Sequence, residues 1–177
     1  PLPPLPHAAY NATARVLNGR LYVMGGESKK VQVLATSEET EFSWTVKADL
    51  PTARRGAAGA VHDGKLWLIG GEVCADDEHT DYEGTESVLI YDTGLDSWAA
   101  GPPLPRPLPF FVSARAAVYG GGVVGRDPRD ERLRTLGRHS GILVMSDSES
   151  YAYRGGAWRL AYVPSVENHA FQFLLLG

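Results

Sequence analysis

Leu5–Glu27 reads LPHAAYNATARVLNGRLYVMGGE, and Leu50–Glu72 reads LPTARRGAAGAVHDGKLWLIGGE. Laid over each other without a gap, the two stretches are identical at ten of 23 positions. The matches include Leu5/Leu50, Pro6/Pro51, Gly19/Gly64, Leu21/Leu66, Gly25/Gly70, Gly26/Gly71 and Glu27/Glu72. Conservative pairs such as Asn18/Asp63, Tyr22/Trp67 and Met24/Ile69 fill the spaces between them. The chain is therefore built from repeats, and the repeat decides the fold before any single element does.

Each copy carries a hairpin. Thr13–Leu17 and Arg20–Met24 flank Asn18-Gly19, while Ala58–His62 and Lys65–Ile69 flank Asp63-Gly64. Asn-Gly and Asp-Gly accept the positive φ angles of a two-residue turn, so both predict tight antiparallel pairs. Leu21–Met24 and Leu66–Ile69 are apolar without alternation, as strands sandwiched between neighbouring sheets should be. A third strand is predicted at Val88–Tyr91, then a turn at Asp92-Thr93-Gly94, then a fourth strand around Trp98. Trp44 stands six residues before Leu50-Pro51, Trp98 six before Leu104-Pro105, and Trp158 six before Pro164. A repeat of about 50 residues suits a four-stranded blade better than a helical hairpin.

This pattern resembles the kelch repeat. The resemblance rests on the Leu-Pro entries, the twin glycines Gly25-Gly26 and Gly70-Gly71, Tyr91-Asp92 and the blade-closing Trp44, Trp98 and Trp158. It implies an all-β fold of four-stranded antiparallel blades fanned into a propeller. Blade one would cover about residues 5–49, blade two about 50–103, blade three about 104–162, with a partial fourth at 163–177. Propellers typically close with ~4–8 blades, so an incomplete or open propeller is expected. The third module is eroded: Ala116–Tyr119 leads into Gly120-Gly121-Gly122, and Val123-Val124-Gly125 stands for the second strand. Arg126 then occupies the second glycine's place, and the run Gly141–Met145 finds no place in this scheme.

Composition narrows the function. The chain has 177 residues, 44% of them hydrophobic, with 20 Gly and 12 Pro, which suits one folded, turn-rich domain. A net charge of −4 argues against a nucleic-acid binder driven by overall basic charge. No apolar run nears the ~20 residues that cross a bilayer, and no charged-then-apolar leader opens at Pro1. The lone Cys74 cannot close an internal disulfide, so an intracellular, cytoplasmic setting is expected.

Two long segments carry charge. Glu72–Glu86 holds seven acids, among them Asp76, Asp77, Glu78, Asp81 and Glu83, with no Lys or Arg between Lys65 and Arg106. Arg126–Arg138 holds five arginines: Arg126, Arg129, Arg132, Arg134 and Arg138. On the strand assignment above both segments follow a second strand, which would set them side by side on one propeller face. Loops longer than ~12 residues are usually functional or disordered, and the expectation is a charged surface that docks a protein partner.

Other chemistry finds less support. His79 sits among carboxylates, but Asp76–Asp81 lacks calcium-loop spacing and no other histidine shows paired-ligand spacing, so no metal and no cofactor is expected. Gly120–Gly125 matches a dinucleotide fingerprint in letters only, because Asp127-Pro128 follows where a helix should start. Pro102–Pro109 reads as an inter-blade connector.

The resemblance implies a non-enzymatic interaction scaffold, with actin or complex association in some members, or self-association completing the ring. It also implies an alternative, a carbohydrate-binding or sugar-modifying propeller. An oxidase of that kind needs a Tyr–Cys pair, whereas Cys74 lies in the acidic segment. An isomerase would use an axial Arg and Glu, for which Arg15, Arg54, Arg55 and Arg115 are candidates.

Overall fold

Asn18 and Gly19 both take positive φ (51° and 67°), as do Asp63 and Gly64 (49° and 69°), and each pair closes a tight hairpin. The computed structural model describes residues 2–35, 42–74, 81–107, 115–119, 141–145 and 150–162. The first hairpin joins β1 (Thr13–Leu17) to β2 (Arg20–Met24), and β3 (Val31–Ala35) and β4 (Trp44–Val46) complete a four-stranded antiparallel sheet. After a two-residue β5 (Arg54–Arg55), the second hairpin joins β6 (Ala58–His62) to β7 (Lys65–Ile69). Next come β8 (Glu72–Cys74), β9 (Tyr82–Gly84), β10 (Val88–Asp92) and β11 (Ser97–Gly101). The second sheet runs β6-β7-β10-β11, while β8 and β9 leave it to pair with β5. A third sheet holds β12 (Arg115–Tyr119), β13 (Gly141–Met145), β14 (Ser150–Arg154) and β15 (Ala157–Tyr162) in sequence order. The first strands β1, β6 and β12 lie side by side, so the three sheets fan out as propeller blades.

Two apolar layers fill the spaces between blades. Tyr22, Met24, Val31 and Val33 of the first blade meet Leu66, Leu68, Leu89 and Tyr91 of the second. Trp67, Ile69 and Val88 on the opposite face of the second blade meet Ile142, Val144 and Tyr151 of the third. That double burial explains why Leu66–Ile69 shows no polar alternation. Each fully buried side chain of this size contributes about 1.5–3 kcal/mol.

The joints between blades repeat as closely as the blades do. Trp44, Trp98 and Trp158 donate their indole N–H groups to the carbonyls of Pro3 (2.9 Å), Ala48 (3.1 Å) and Pro102 (2.8 Å). Each acceptor stands two residues before the leucine that enters that blade: Leu5, Leu50 or Leu104. The Leu50 N–H donates to the Lys29 carbonyl (2.7 Å) and the Leu104 N–H to that of Glu86 (2.8 Å), both just ahead of the third strand of the preceding blade. The twin glycines let this joint pass close: a Cβ on Gly71 (φ +86°) would lie 2.6 Å from the Arg55 carbonyl oxygen.

The third module departs from expectation. Its second strand is β13, paired with β12 from Arg115↔Met145 to Tyr119↔Gly141, and not Val123-Val124. The Gly120–Gly125 run and all five arginines from Arg126 to Arg138 therefore fall between strands one and two of this blade. The hairpin turn that is two residues long in blades one and two is replaced here by residues 120–140, so spacing from the glycines misplaced the strand.

One carboxylate latches the second blade to its entry joint. Asp96, in the turn between β10 and β11, accepts the Ala48 N–H (2.9 Å) and the hydroxyl of the buried Tyr91, whose ring lies 4.9 Å from that of Trp98. These bonds, the Tyr91 hydroxyl first and the Ala48 amide second, hold the Asp96 carboxyl below its usual range against the opposing effect of desolvation. Burial, aided by Asp96, pushes the Tyr91 phenol up. A carboxyl depressed in the folded state adds stability that is complete above its unfolded pKa of ~3.9 and is lost as pH falls through the folded value. Asp92, depressed by Lys65 and the Leu95 and Gly94 amides, acts in the same sense. Melting temperature should therefore fall more steeply between about pH 5 and pH 3 in the native chain than in Asp96→Asn, which keeps the positive φ of 49° tolerable. Equal slopes would remove Asp96 from the acid response.

Candidate functional site

The acidic segment after Gly71 is rooted by paired strands at its two ends. β8 pairs with β9 from Glu72↔Gly84 to Cys74↔Tyr82, and β5 adds a third strand through Arg54↔Val73 and Arg55↔Glu72. The Thr85 N–H returns to the Gly71 carbonyl (2.9 Å) and closes the base. β5 also bridges to Ser28 of the first blade, and the Gly26 N–H donates to the Arg54 carbonyl at 2.8 Å. The hairpin thus stands on the seam between blades one and two.

Arg55 holds the root electrostatically. Its Nε lies 3.0 Å from Glu72 Oε2 and its Nη1 2.8 Å from Glu27 Oε1, and its guanidinium carbon sits 3.3 Å from the Tyr82 ring centroid. Glu27 and Glu72 are the same position of successive repeats, so one cation ties the two blades and the base of the hairpin together. Although desolvation pulls its pKa down, the bonds to Glu27 and Glu72 raise it on balance, and Arg55 stays charged. A cation stacked on an aromatic face in a partly desolvated site adds about 0.5–2 kcal/mol.

Arg54 points the other way, into the protein. It is 4% exposed; Nη1 donates to the Ser87 carbonyl (3.0 Å) and Nη2 to the Ser87 hydroxyl. Among the described residues no carboxylate offsets its desolvation, and burial lowers its pKa to about 10, which leaves it protonated at neutral pH. Arg15 on β1 donates from Nε to the Gly59 carbonyl (2.7 Å) and from Nη1 to that of Ala14 (2.6 Å), with burial lowering its pKa. Three of the four arginines considered for sugar chemistry thus direct donors to protein groups. Arg115 opens β12, and its side chain lies outside the described residues.

Of the charged residues expected to dock a partner, Asp81 and Glu83 are exposed on and beside β9. Asp76, Asp77 and Glu78, like His79, lie outside the described residues, as do Arg126, Arg129, Arg132, Arg134 and Arg138. The strand pairing nevertheless corrects the expected placement. The acidic hairpin follows β7, at the end of the blade where Ala58 pairs with Ile69. The arginine segment joins Tyr119 to Gly141, at the end corresponding to the His62↔Lys65 turn. The two segments are rooted at opposite ends of the propeller because one follows a second strand and the other a first. Among the described residues, no group of three or more His, Cys, Asp or Glu is arranged to hold a metal ion.

The Arg55 cluster escaped the sequence reading, although the repeated Gly-Gly-Glu was its visible sign. Arg55→Lys keeps the charge and loses the fork that serves two carboxylates and one ring. It should lower unfolding stability by about 1–2 kcal/mol in urea, and Glu27→Gln should add little more in the Arg55→Lys background. An unchanged midpoint would show that the cluster does not hold the root.

No family model matches the chain. Alpha-scruin of Limulus polyphemus is 30% identical over 92 residues, covering 50% of this chain and 10% of that protein. Kelch-like protein terF of Aspergillus terreus is 31% identical over 161 residues, covering 88% of this chain and 33% of the relative. Kelch-like protein 40 of Mus musculus is 28% identical over 149 residues, covering 81% and 21%. Among solved structures, YjhT superposes with a TM-score of 0.63 at 19% identity, over 92% of this chain and 54% of its own, a likeness of fold. The chain therefore spans a tenth to a third of these relatives and about half of that solved chain. Repeated Leu-Pro entries, twin glycines and blade-closing tryptophans, seen in both sequence and joints, agree with these relatives: the chain belongs to the kelch-repeat family.

Proposed function

We propose that the chain is a protein-docking module whose partner is engaged through the acidic β8–β9 hairpin. The observation that carries this reading is the hairpin's root. An insertion between two strands of a blade is held by β5 and by Arg55 bonded to Glu27 and Glu72, while Asp81, Glu83 and Glu86 stay exposed. An acidic segment anchored at its root suits a partner with a basic surface, since complementary potentials raise encounter rates and fix register. A larger complex, or self-association that completes the ring, belongs to the same reading. An intracellular setting belongs to the same reading, consistent with a single cysteine. No helix among the described residues is long and apolar enough to cross a membrane.

The test is affinity capture followed by mass spectrometry. The native chain should retain a protein that Asp81→Lys/Glu83→Lys loses, and whose retention weakens as salt rises from about 0.1 to 0.5 M. An identical captured set from both forms at both salt concentrations would overturn the reading.

A further inference from the structure

The three-stranded sheet at the root of the acidic segment ends on β9. Its strands run β5-β8-β9, and among the described residues no strand pairs with the outer edge of β9. Asp81, Glu83 and Gly84 are exposed along that edge, and Tyr82 is half-buried. An edge of this kind is a template for pairing with another chain. Neither a Pro nor a bulge guards it: residues 81–87 contain no Pro, and β8 and β9 pair regularly from Glu72↔Gly84 to Cys74↔Tyr82. Charge guards it instead, since an apolar or acidic segment laid there would bury Asp81 and Glu83 without partners.

The register sorts the side chains by face. Arg55, Glu72, Cys74 and Tyr82 fall on one face of this sheet, and Arg54, Val73 and Glu83 on the other, which Asp81 shares. The edge therefore reads acid, aromatic, acid. A strand added beside it meets these side chains in opposite pairs, so it must carry two cations two residues apart with an apolar residue between them. In the whole sequence, two cations stand two residues apart at one place only, Arg132-Leu133-Arg134. Laid antiparallel to β9, that stretch sets Arg134 opposite Asp81, Leu133 opposite Tyr82 and Arg132 opposite Glu83. The segment that carries it leaves from Tyr119 and returns at Gly141, at the propeller end opposite to the acidic hairpin.

We infer that the outer edge of β9 takes the Arg132-Leu133-Arg134 stretch of a second copy of the chain as an added strand. Because edge and stretch are rooted at opposite ends of the propeller, copies meet head to tail, and every copy still offers one of each. A heterologous contact of this kind propagates, so assemblies grow past two copies with concentration unless the rotation closes them into a ring. Charge fixes the register as well as the partner, since a slip of one residue would set Leu133 against an acid. The hold of β5 and Arg55 on the root orders the strand before contact, which lowers the entropic cost of docking. The inference rests on the reading that the acidic hairpin docks a basic partner, and it names that partner.

Light scattering across a wide dilution series, at about 0.1 and 0.5 M salt, tests it. The mass should rise above that of one copy with concentration, and the rise should shrink at the higher salt. Asp81→Lys/Glu83→Lys and, separately, Arg132→Glu/Arg134→Glu should each weaken association at least about tenfold, with circular dichroism showing both variants folded. Mixed in equal amounts, the two variants should associate again, because the hairpin of each is then complementary to the arginine-segment position of the other. Hydrogen exchange at Glu83 and Gly84 should slow in the associated chain, which attraction without strand pairing would not bring about. A single-copy mass at every concentration, no recovery on mixing, or unchanged exchange along β9 would overturn the inference. Capture of a different protein that depends on Asp81 and Glu83 would still uphold the docking reading, so the two can fail separately.

Discussion

An indole N–H held by a carbonyl near the start of the same repeat is the bond on which the arrangement of blades depends. A four-stranded sheet that is apolar on both faces cannot stand in water alone, and it must be set against its neighbours at a fixed angle and height. Trp44, Trp98 and Trp158 do this by reaching from the outermost strand to the chain that enters their own blade. The entering leucine is thereby pressed between two sheets, where Leu50 and Leu104 are almost fully covered. Its backbone N–H then reaches the preceding blade, so a single joint fixes three pieces of chain. Removing any one donor would take the partner from a part-buried carbonyl as well as loosen a leucine.

Near the first strands, charge takes over from apolar contact. Arg15, Arg54 and Arg55 lie where blades one and two approach through backbone, with little room for side-chain packing. Arg15 reaches the Gly59 carbonyl across that seam, and Arg54 turns inward to Ser87 of its own repeat. Arg55 meets carboxylates, whereas the buried Arg54 meets neutral acceptors among the described residues, and desolvation lowers its pKa. The gradient from paired to unpaired cation follows burial, and it explains why arginines that look like catalytic candidates in the sequence serve the seam in the structure.

Much of this was legible from residue order. The Asn18-Gly19 and Asp63-Gly64 turns fix strand boundaries because few other residues tolerate two successive positive φ angles. The Trp-to-Leu-Pro spacing located the joints for the same kind of reason, since a bond between fixed points tolerates little change in chain length. Where the local chemistry was erased, reading failed. Without a two-residue turn after Tyr119, the glycines at 120–125 imitated the end of a second strand, and β13 was left without a role. Pairing across a long connection is a tertiary fact that spacing does not encode, and the opposite placement of the two charged segments followed from it. The Arg55 cluster was half visible: Glu27 and Glu72 recur after twin glycines, but the cation between them and the Tyr82 face belong to one repeat only.

Gln32 departs from its repeat in a way that explains how the first blade keeps its entry segment in place. In the second blade the equivalent Leu89 packs into the layer between blades, where a neighbouring sheet supplies the cover. An apolar side chain at position 32 would depend on such a sheet. The Gln32 amide instead grips both the N–H and the carbonyl of His7, as a neighbouring strand would, and is itself fully buried beneath the segment it holds. The amide thereby satisfies both backbone groups of His7 where the entry segment crosses β3. It leaves Leu5 and Val16 outside the grip, so the flank is folded and hydrogen-bonded at its centre while apolar at its margin.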